Sequence, residues 1–187
     1  SIKLYPIIRP RCGNYYYTED ELAVIKADIA ICKDLGCDGI SIGAQKINGE
    51  IDIEQLKQFV EWAYPMAVTC NRAFDATPDP FKALEDLIEA GCERVLTSGL
   101  ATGAPLAGAL LGKLVQQAGN RIIIMPGAGI TAANIKQLIA ESGATEYHGS
   151  VRKPTINPMS FANPNVLDFG NVYLPDESEL KAIIAQL

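Results

Sequence analysis

The sequence lacks a surplus of basic residues: 16 Lys and Arg stand against 22 Asp and Glu, for a formal net charge of −6. Nucleic acids and anionic membrane surfaces attract basic patches, so neither is expected as the main partner. No apolar run approaches the ~18 residues of a membrane-spanning helix, and the first residues carry no signal-peptide pattern. The five cysteines (Cys12, Cys32, Cys37, Cys70 and Cys92) are odd in number, scattered, and contain no Cys-x-x-Cys. That argues against a disulfide framework and for reduced thiols in a cytoplasmic protein. Met-x-x-Met and Cys-x-Cys are missing too. No Gly-x-Gly-x-x-Gly follows the first apolar segment, so a dinucleotide-binding open sheet loses support. What is present is apolar material, 48% of 187 residues, enough to bury the core of a single domain spanning 1–187.

The apolar residues fall into a regular alternation of strand and helix. Strands are expected at Lys3–Ile8, Gly39–Gly43, Met66–Cys70, Arg94–Thr97, Arg121–Met125 and Thr145–His148. Thr18-Glu-Asp-Glu21 is a capping box that opens a helix with Leu22, Ile25, Ile29 and Cys32 on one face. Asp52 caps the next helix, Pro80 starts a third, and further helices are expected at about Pro105–Ala118 and Thr131–Glu141. The helix-to-strand junctions at Gly36, Pro65, Gly91, Gly119 and Gly143 are 24 to 29 residues apart. That period implies parallel strands joined by helical crossovers, and with no nucleotide fingerprint the (β/α)8 TIM barrel is favoured over the open sheet.

Six β-α units are visible where a barrel has eight, so the first two are expected to be absent from this chain. Either an N-terminal quarter lies outside the sequence, or the barrel closes with another chain, which makes a homo-oligomer the expected assembly. Residues 151–174, rich in proline and asparagine, read as a long loop. Residues 176–187 read as a closing helix, with Glu179 in a capping box.

In such a barrel the carboxyl ends of the strands form the working face. The stretch Met66–Asp75 leaves the core there at Asn71, Arg72 and Asp75. Arg9 and Arg11 follow the first strand, Thr97 and Ser98 the fourth, Gly127 and Gly129 the fifth, and His148 and Ser150 the sixth. Three guanidiniums at one rim of an acidic protein suit a carboxylate or phosphate ligand, which their planar fork binds bidentately. Gly127 and Gly129, with Ser150 on the next loop, are placed to cradle a phosphate with backbone amides. Asp75 and His148, the only imidazole, are candidates for moving a proton, with Arg72 beside them as a third catalytic candidate and Glu146 available to orient His148. The plainer alternative is that Arg72 pairs Asp75 while Arg9 and Arg11 brace loops. For a soft metal, Cys12 and Cys70 are the thiols nearest this rim.

Pro6-Ile-Ile-Arg-Pro-Arg11, Asn48-Gly-Glu-Ile-Asp52, Ala67-Val-Thr-Cys-Asn-Arg-Ala-Phe-Asp75, Arg94-Val-Leu-Thr-Ser-Gly99 and Gly127-Ala-Gly129 resemble, in order and spacing, the CutC copper-homeostasis family. The resemblance covers about residues 5–150. It implies a (β/α)8 barrel with two further β-α units upstream, a cytoplasmic location, and copper homeostasis with copper as bound ion. The chain departs from the family at Asn71, where histidine is usual. Asn71 can hydrogen-bond a ligand but cannot titrate near neutral pH. The cysteines proposed for copper in the family lie upstream of the matched segment. Two readings remain open: a copper-homeostasis protein, or an enzyme or binding barrel for a small anionic, possibly phosphorylated, metabolite.

Overall fold

The computed structural model describes residues 2–155, 159, 161, 163, 165 and 172–187. Helix α1 (Glu19–Asp34) starts where the capping box is complete: Thr18 Oγ1 accepts the Glu21 N–H and Glu21 Oε2 accepts the Thr18 N–H. Strand β1 (Gly39–Ile42) follows, then α2 (Ile53–Ala63), whose Asp52 cap accepts the Gln55 N–H at 3.1 Å. Strand β2 (Ala67–Cys70), helix α3 (Pro80–Ala90) and strand β3 (Arg94–Thr97) come next. Asp79 caps α3, Pro80 opens its first turn, and Gly91 closes it in the left-handed conformation.

Helix α4 (Gly108–Ala118), strand β4 (Ile123–Pro126) and helix α5 (Ile135–Ser142) complete the alternation. Two of these helices start later than the apolar pattern predicts. Pro105 lies in a separate 3-10 turn, because the Ala104 N–H is drawn to the Ala128 carbonyl at 3.0 Å. Residues 131–134 form a turn because Asn134 Oδ1 takes the Thr131 N–H at 2.8 Å.

The four strands are parallel and lie in the sheet in chain order, β1-β2-β3-β4. Every crossover therefore steps one place the same way, as in a barrel wall; a doubly wound sheet would reverse. Single parallel bridges extend this row at both edges, Ile7 to Ser41 and Gly127 to His148. The first and sixth expected strands thus occupy their places without forming longer ladders. Registered neighbours share a face. Ile42, Cys70, Val95 and Ile124 form one row and are all buried, with α1–α5 available to cover them. Ser41, Thr69, Arg94 and Ile123 form the row on the opposite, inner face.

Within the stretch read as a loop over 151–174, Arg152–Thr155 (β5) pairs antiparallel with Val172–Pro175 (β6) as a two-stranded ribbon. Most residues between them lie outside the described ones. Helix α6 (Glu177–Ile184) is capped by Asp176, which accepts N–H groups from Ser178 and Glu179. Glu179 does not close a capping box: its carboxylate takes the Ala132 N–H at 2.7 Å, and Gln186 donates to the Ala132 carbonyl at 2.7 Å. The two bonds fasten α6 to the approach of α5. No described helix is long and apolar enough to cross a membrane.

Candidate functional site

At the carboxyl end of β2 the chain turns into a short 3-10 helix, Arg72–Ala76, which starts where Asn71 Oδ1 accepts the Ala73 N–H at 2.9 Å. Gly43, at the end of β1, leaves room for that cap. A Cβ there would lie 2.5 Å from Asn71 Oδ1 and 2.6 Å from the Ala73 Cβ. The turn aims Asp75 at the end of β3. Its carboxylate accepts from Thr97 Oγ1 (2.5 Å) and the Ser98 N–H (3.0 Å), and the Ser98 hydroxyl lies 3.0 Å away with its one proton shared between Asp75 and the Ala101 carbonyl at 2.6 Å. It also accepts from the Leu100 N–H (3.3 Å) and Arg72 Nε (2.7 Å). Leu100 reaches it from φ 59°, a left-handed conformation costly for a side chain that large.

A carboxylate with about four lone-pair sites and this many donors has none to spare for abstracting a proton. Asp75 is therefore the tie between the β2 and β3 exits, not the free base its sequence position suggests. Arg72 shows both readings at once. Nε is held by Asp75 and Nη2 donates to Ser98 Oγ at 3.0 Å, while Nη1 makes no hydrogen bond among the described residues. Its side chain remains 44% exposed.

Arg9 and Arg11 are more fully committed. Arg11 Nε lies 2.5 Å from Glu21 Oε1, and its two Nη atoms donate to the carbonyls of Cys12, Asn14 and Tyr16, to Asn14 Oδ1 and to Glu21 Oε2. The Thr18 N–H first, and Arg11 second, hold the Glu21 carboxyl below its usual pKa. Arg9 donates to the carbonyls of Arg11 and Gly13 and to Tyr15 Oη, and lies 4.3 Å over the Tyr15 ring. A groove of about 490 Å³ opens here, lined by Arg9, Tyr15, Ser41, Asn71, Arg72 and Leu96. Arg11 is outside it. A larger cavity of about 580 Å³ lies at the other end of the barrel wall around Asn120–Ile124. Its Arg121 is already paired with Glu85, and that end of such barrels serves stability.

On the next loops the carbonyls are tied inward: Ala128 O accepts from Ala104 N–H, and Gly129 O from Asn134 Nδ2. Gly127, counted as a cradle donor, spends its N–H on the Thr97 carbonyl at 2.8 Å. The N–H groups of Ala128, Gly129, Gly149 and Ser150 make no hydrogen bond among the described residues. His148 faces inward by its bridge to Gly127, and its imidazole has no hydrogen-bond partner among the described residues. Glu146 does not orient it. That carboxylate grips Arg94 at 2.5 and 3.1 Å across the barrel interior, and this bond is the main cause of the raised Arg94 pKa.

Of the two thiols expected at the rim, only Cys12 is exposed there. Cys70 sits in the buried row facing away from the barrel interior, and burial pushes its thiol well above the usual range, so the two do not make one site. Thr97 and Ser98 are buried and serve Asp75; Ser150 is exposed. Two features had no mark in the sequence. One is the set of β3-exit N–H groups on Asp75. The other is Tyr17, whose buried hydroxyl has no partner among the described residues and whose pKa burial raises to about 12.

The profile of the CutC family matches residues 1–153. A CutC family protein of Xanthomonas campestris pv. campestris (strain B100) is 41% identical over 188 residues, covering 100% of this chain and 78% of that protein. One from Parabacteroides distasonis is 45% identical over 166 residues, covering 89% of this chain and 68% of that protein. Among solved structures, CutC from Streptococcus agalactiae, assigned to copper homeostasis, superposes with a TM-score of 0.73 at 32% identity. That match covers 77% of this chain and 70% of the other. An aldolase at 18% identity and TM-score 0.58 shares the fold, over 80% of this chain and 68% of its own.

Proposed function

This chain belongs to the CutC family, and from that premise we propose that it serves copper homeostasis in the cytoplasm, the role assigned to the Streptococcus agalactiae relative. Family membership carries this reading. All five cysteines are free thiols, the donor type that selects Cu(I). Titrating the reduced protein with Cu(I) against a chelator of known affinity tests it. One tightly held equivalent supports the reading, and no binding overturns it. The six strand positions in one rotational order support a (β/α)8 barrel of which this chain carries six units. Association of copies at the first strand, where Leu4 and Ile7 are 60% and 72% exposed, belongs to the same proposal. Sedimentation showing only monomers would remove it.

A second reading rests on one observation, the held Arg72 with Nη1 unspent in the rim groove. A guanidinium fixed on two sides and open on the third suits a small carboxylate or phosphate. Here Arg72 meets the anion, Asn71 and Arg9 border it, and the amides of Ala128, Gly129, Gly149 and Ser150 offer further donors on the same rim. Calorimetric titration with inorganic phosphate and with citrate tests this reading. Binding by the parent that weakens in Arg72→Ala supports it, and equal binding by both counts against it.

A further inference from the structure

Strands β3 and β4 run in register from Arg94 beside Ile123 to Thr97 beside Pro126, so their exits can be matched residue by residue. Counting on from there, Gly99 stands opposite Ala128 and Leu100 opposite Gly129. The two turns share a backbone conformation. Gly99 and Leu100 take φ of 69° and 59°, and Ala128 and Gly129 take 78° and 74°. At each exit one of the two left-handed positions carries a side chain, against the preference of that region for glycine.

The amides of the two turns differ. At the β3 exit both are satisfied from within the chain: the Gly99 N–H by Thr97 Oγ1 at 2.9 Å, and the Leu100 N–H by the Asp75 carboxylate at 3.3 Å. At the β4 exit Pro126 stands where Thr97 would supply its hydroxyl, and no carboxylate takes the place of Asp75 among the described residues. The Ala128 and Gly129 N–H groups are left without an acceptor there. The chain thus holds one filled and one open copy of a carboxylate-binding turn.

The open copy borders the rim groove. Leu96 lines that groove, and its Cδ1 lies 2.5 Å from where a Cβ on Gly127 would stand, so the wall of the groove runs directly into the β4 exit. The same point is 3.3 Å from the His148 Cβ, which closes the far side. Arg72 arrives from the opposite direction, with Nη2 on Ser98 Oγ at 3.0 Å.

We propose that the β4-exit turn is a carboxylate subsite, and that the groove takes a small ligand with an acidic group at each end. One acid meets Arg72, and the other meets the Ala128 and Gly129 N–H groups as Asp75 meets Leu100. Adjacent strand exits lie ~4.8 Å apart, a span that fits a diacid of about four or five carbons. The inference rests on the anion reading above and narrows its ligand from any small anion to a diacid.

The test uses the whole chain and compares succinate and glutarate with butyrate and pentanoate, the mono-acids of the same length, with inorganic phosphate as the probe of Arg72. Calorimetry is expected to give the diacids at least about tenfold tighter binding than the mono-acids, the value of one further charge-assisted hydrogen bond. The backbone ¹⁵N–¹H signals of Ala128 and Gly129 are expected to shift saturably with diacid, a readout that needs no variant. Gly129→Asp sets the chain's own carboxylate at the turn. Aspartate tolerates the left-handed region, and a Cβ there meets nothing closer than 3.9 Å. With its fold established by melting curves, this variant is expected to bind diacid and mono-acid alike while keeping phosphate. If it does not fold, the two amide signals of the parent decide. Diacid preference without movement of those amides, or preference retained in Gly129→Asp, overturns the subsite. Equal binding of diacids and mono-acids by the parent overturns it too, and leaves the Arg72 reading standing. If the parent binds neither phosphate nor any of the acids, both fall.

Discussion

Arg11 and Arg72 stand on the same rim with the same planar fork, yet the structure uses them differently. Arg11 has an acceptor for every nitrogen, all within its own loop and the first turn of α1. Arg72 has acceptors on two nitrogens and none among the described residues on the third. On the proposed anion reading, what would separate a brace from a ligand-facing cation is the count of acceptors around it. Proximity to the rim does not tell them apart. Arg121, far from the rim and paired with Glu85 and the Gln117 carbonyl, is a brace of the Arg11 kind.

The largest effect is expected from removing what fixes Arg72. Asp75→Ala leaves the Ser98 and Leu100 amides and the Thr97 hydroxyl without their acceptor, at a cost of about 3 kcal/mol in urea unfolding. It should also abolish anion binding at the groove. Arg72→Ala is expected to weaken phosphate binding by roughly tenfold, the value of one charge-assisted hydrogen bond, at less than about 1 kcal/mol of stability. Arg11→Ala should reverse that pattern, costing about 1 kcal/mol of stability and leaving phosphate affinity unchanged. Equal losses of affinity in the two arginine variants would erase the distinction.

The smallest effect concerns pH at Arg121. Hydrogen bonds from Arg121, then from Gln117, lower the Glu85 pKa from 4.5 to about 2. A depressed folded-state pKa adds stability that is present above pH 4.5 and is lost as pH falls from there towards 2. Arg121→Ala should flatten that part of the stability–pH profile, as read by urea unfolding at pH 5 and pH 3. An unchanged slope would show that the pair is not formed in solution.

Much of the scaffold is legible in the sequence because it is written in local chemistry. Thr18 and Glu21, Asp52, Pro80 and Gly91 mark helix ends by the groups they cap, and four apolar runs gave β1 to β4 at nearly their observed bounds. The β5–β6 ribbon was not legible, since Arg152-Lys-Pro-Thr155 carries proline and no alternating pattern. The site was harder still. Arg94 and Glu146 meet across 52 residues, and Leu100 adopts φ 59° without a glycine to announce it.

The distinction between the two arginines is tested most directly by their side-chain ¹⁵N signals during titration with inorganic phosphate. The structure predicts that Arg72 shifts saturably while Arg11 stays in place. Movement of both together, or of Arg11 alone, would contradict the assignment of Arg72 as the residue that meets the ligand.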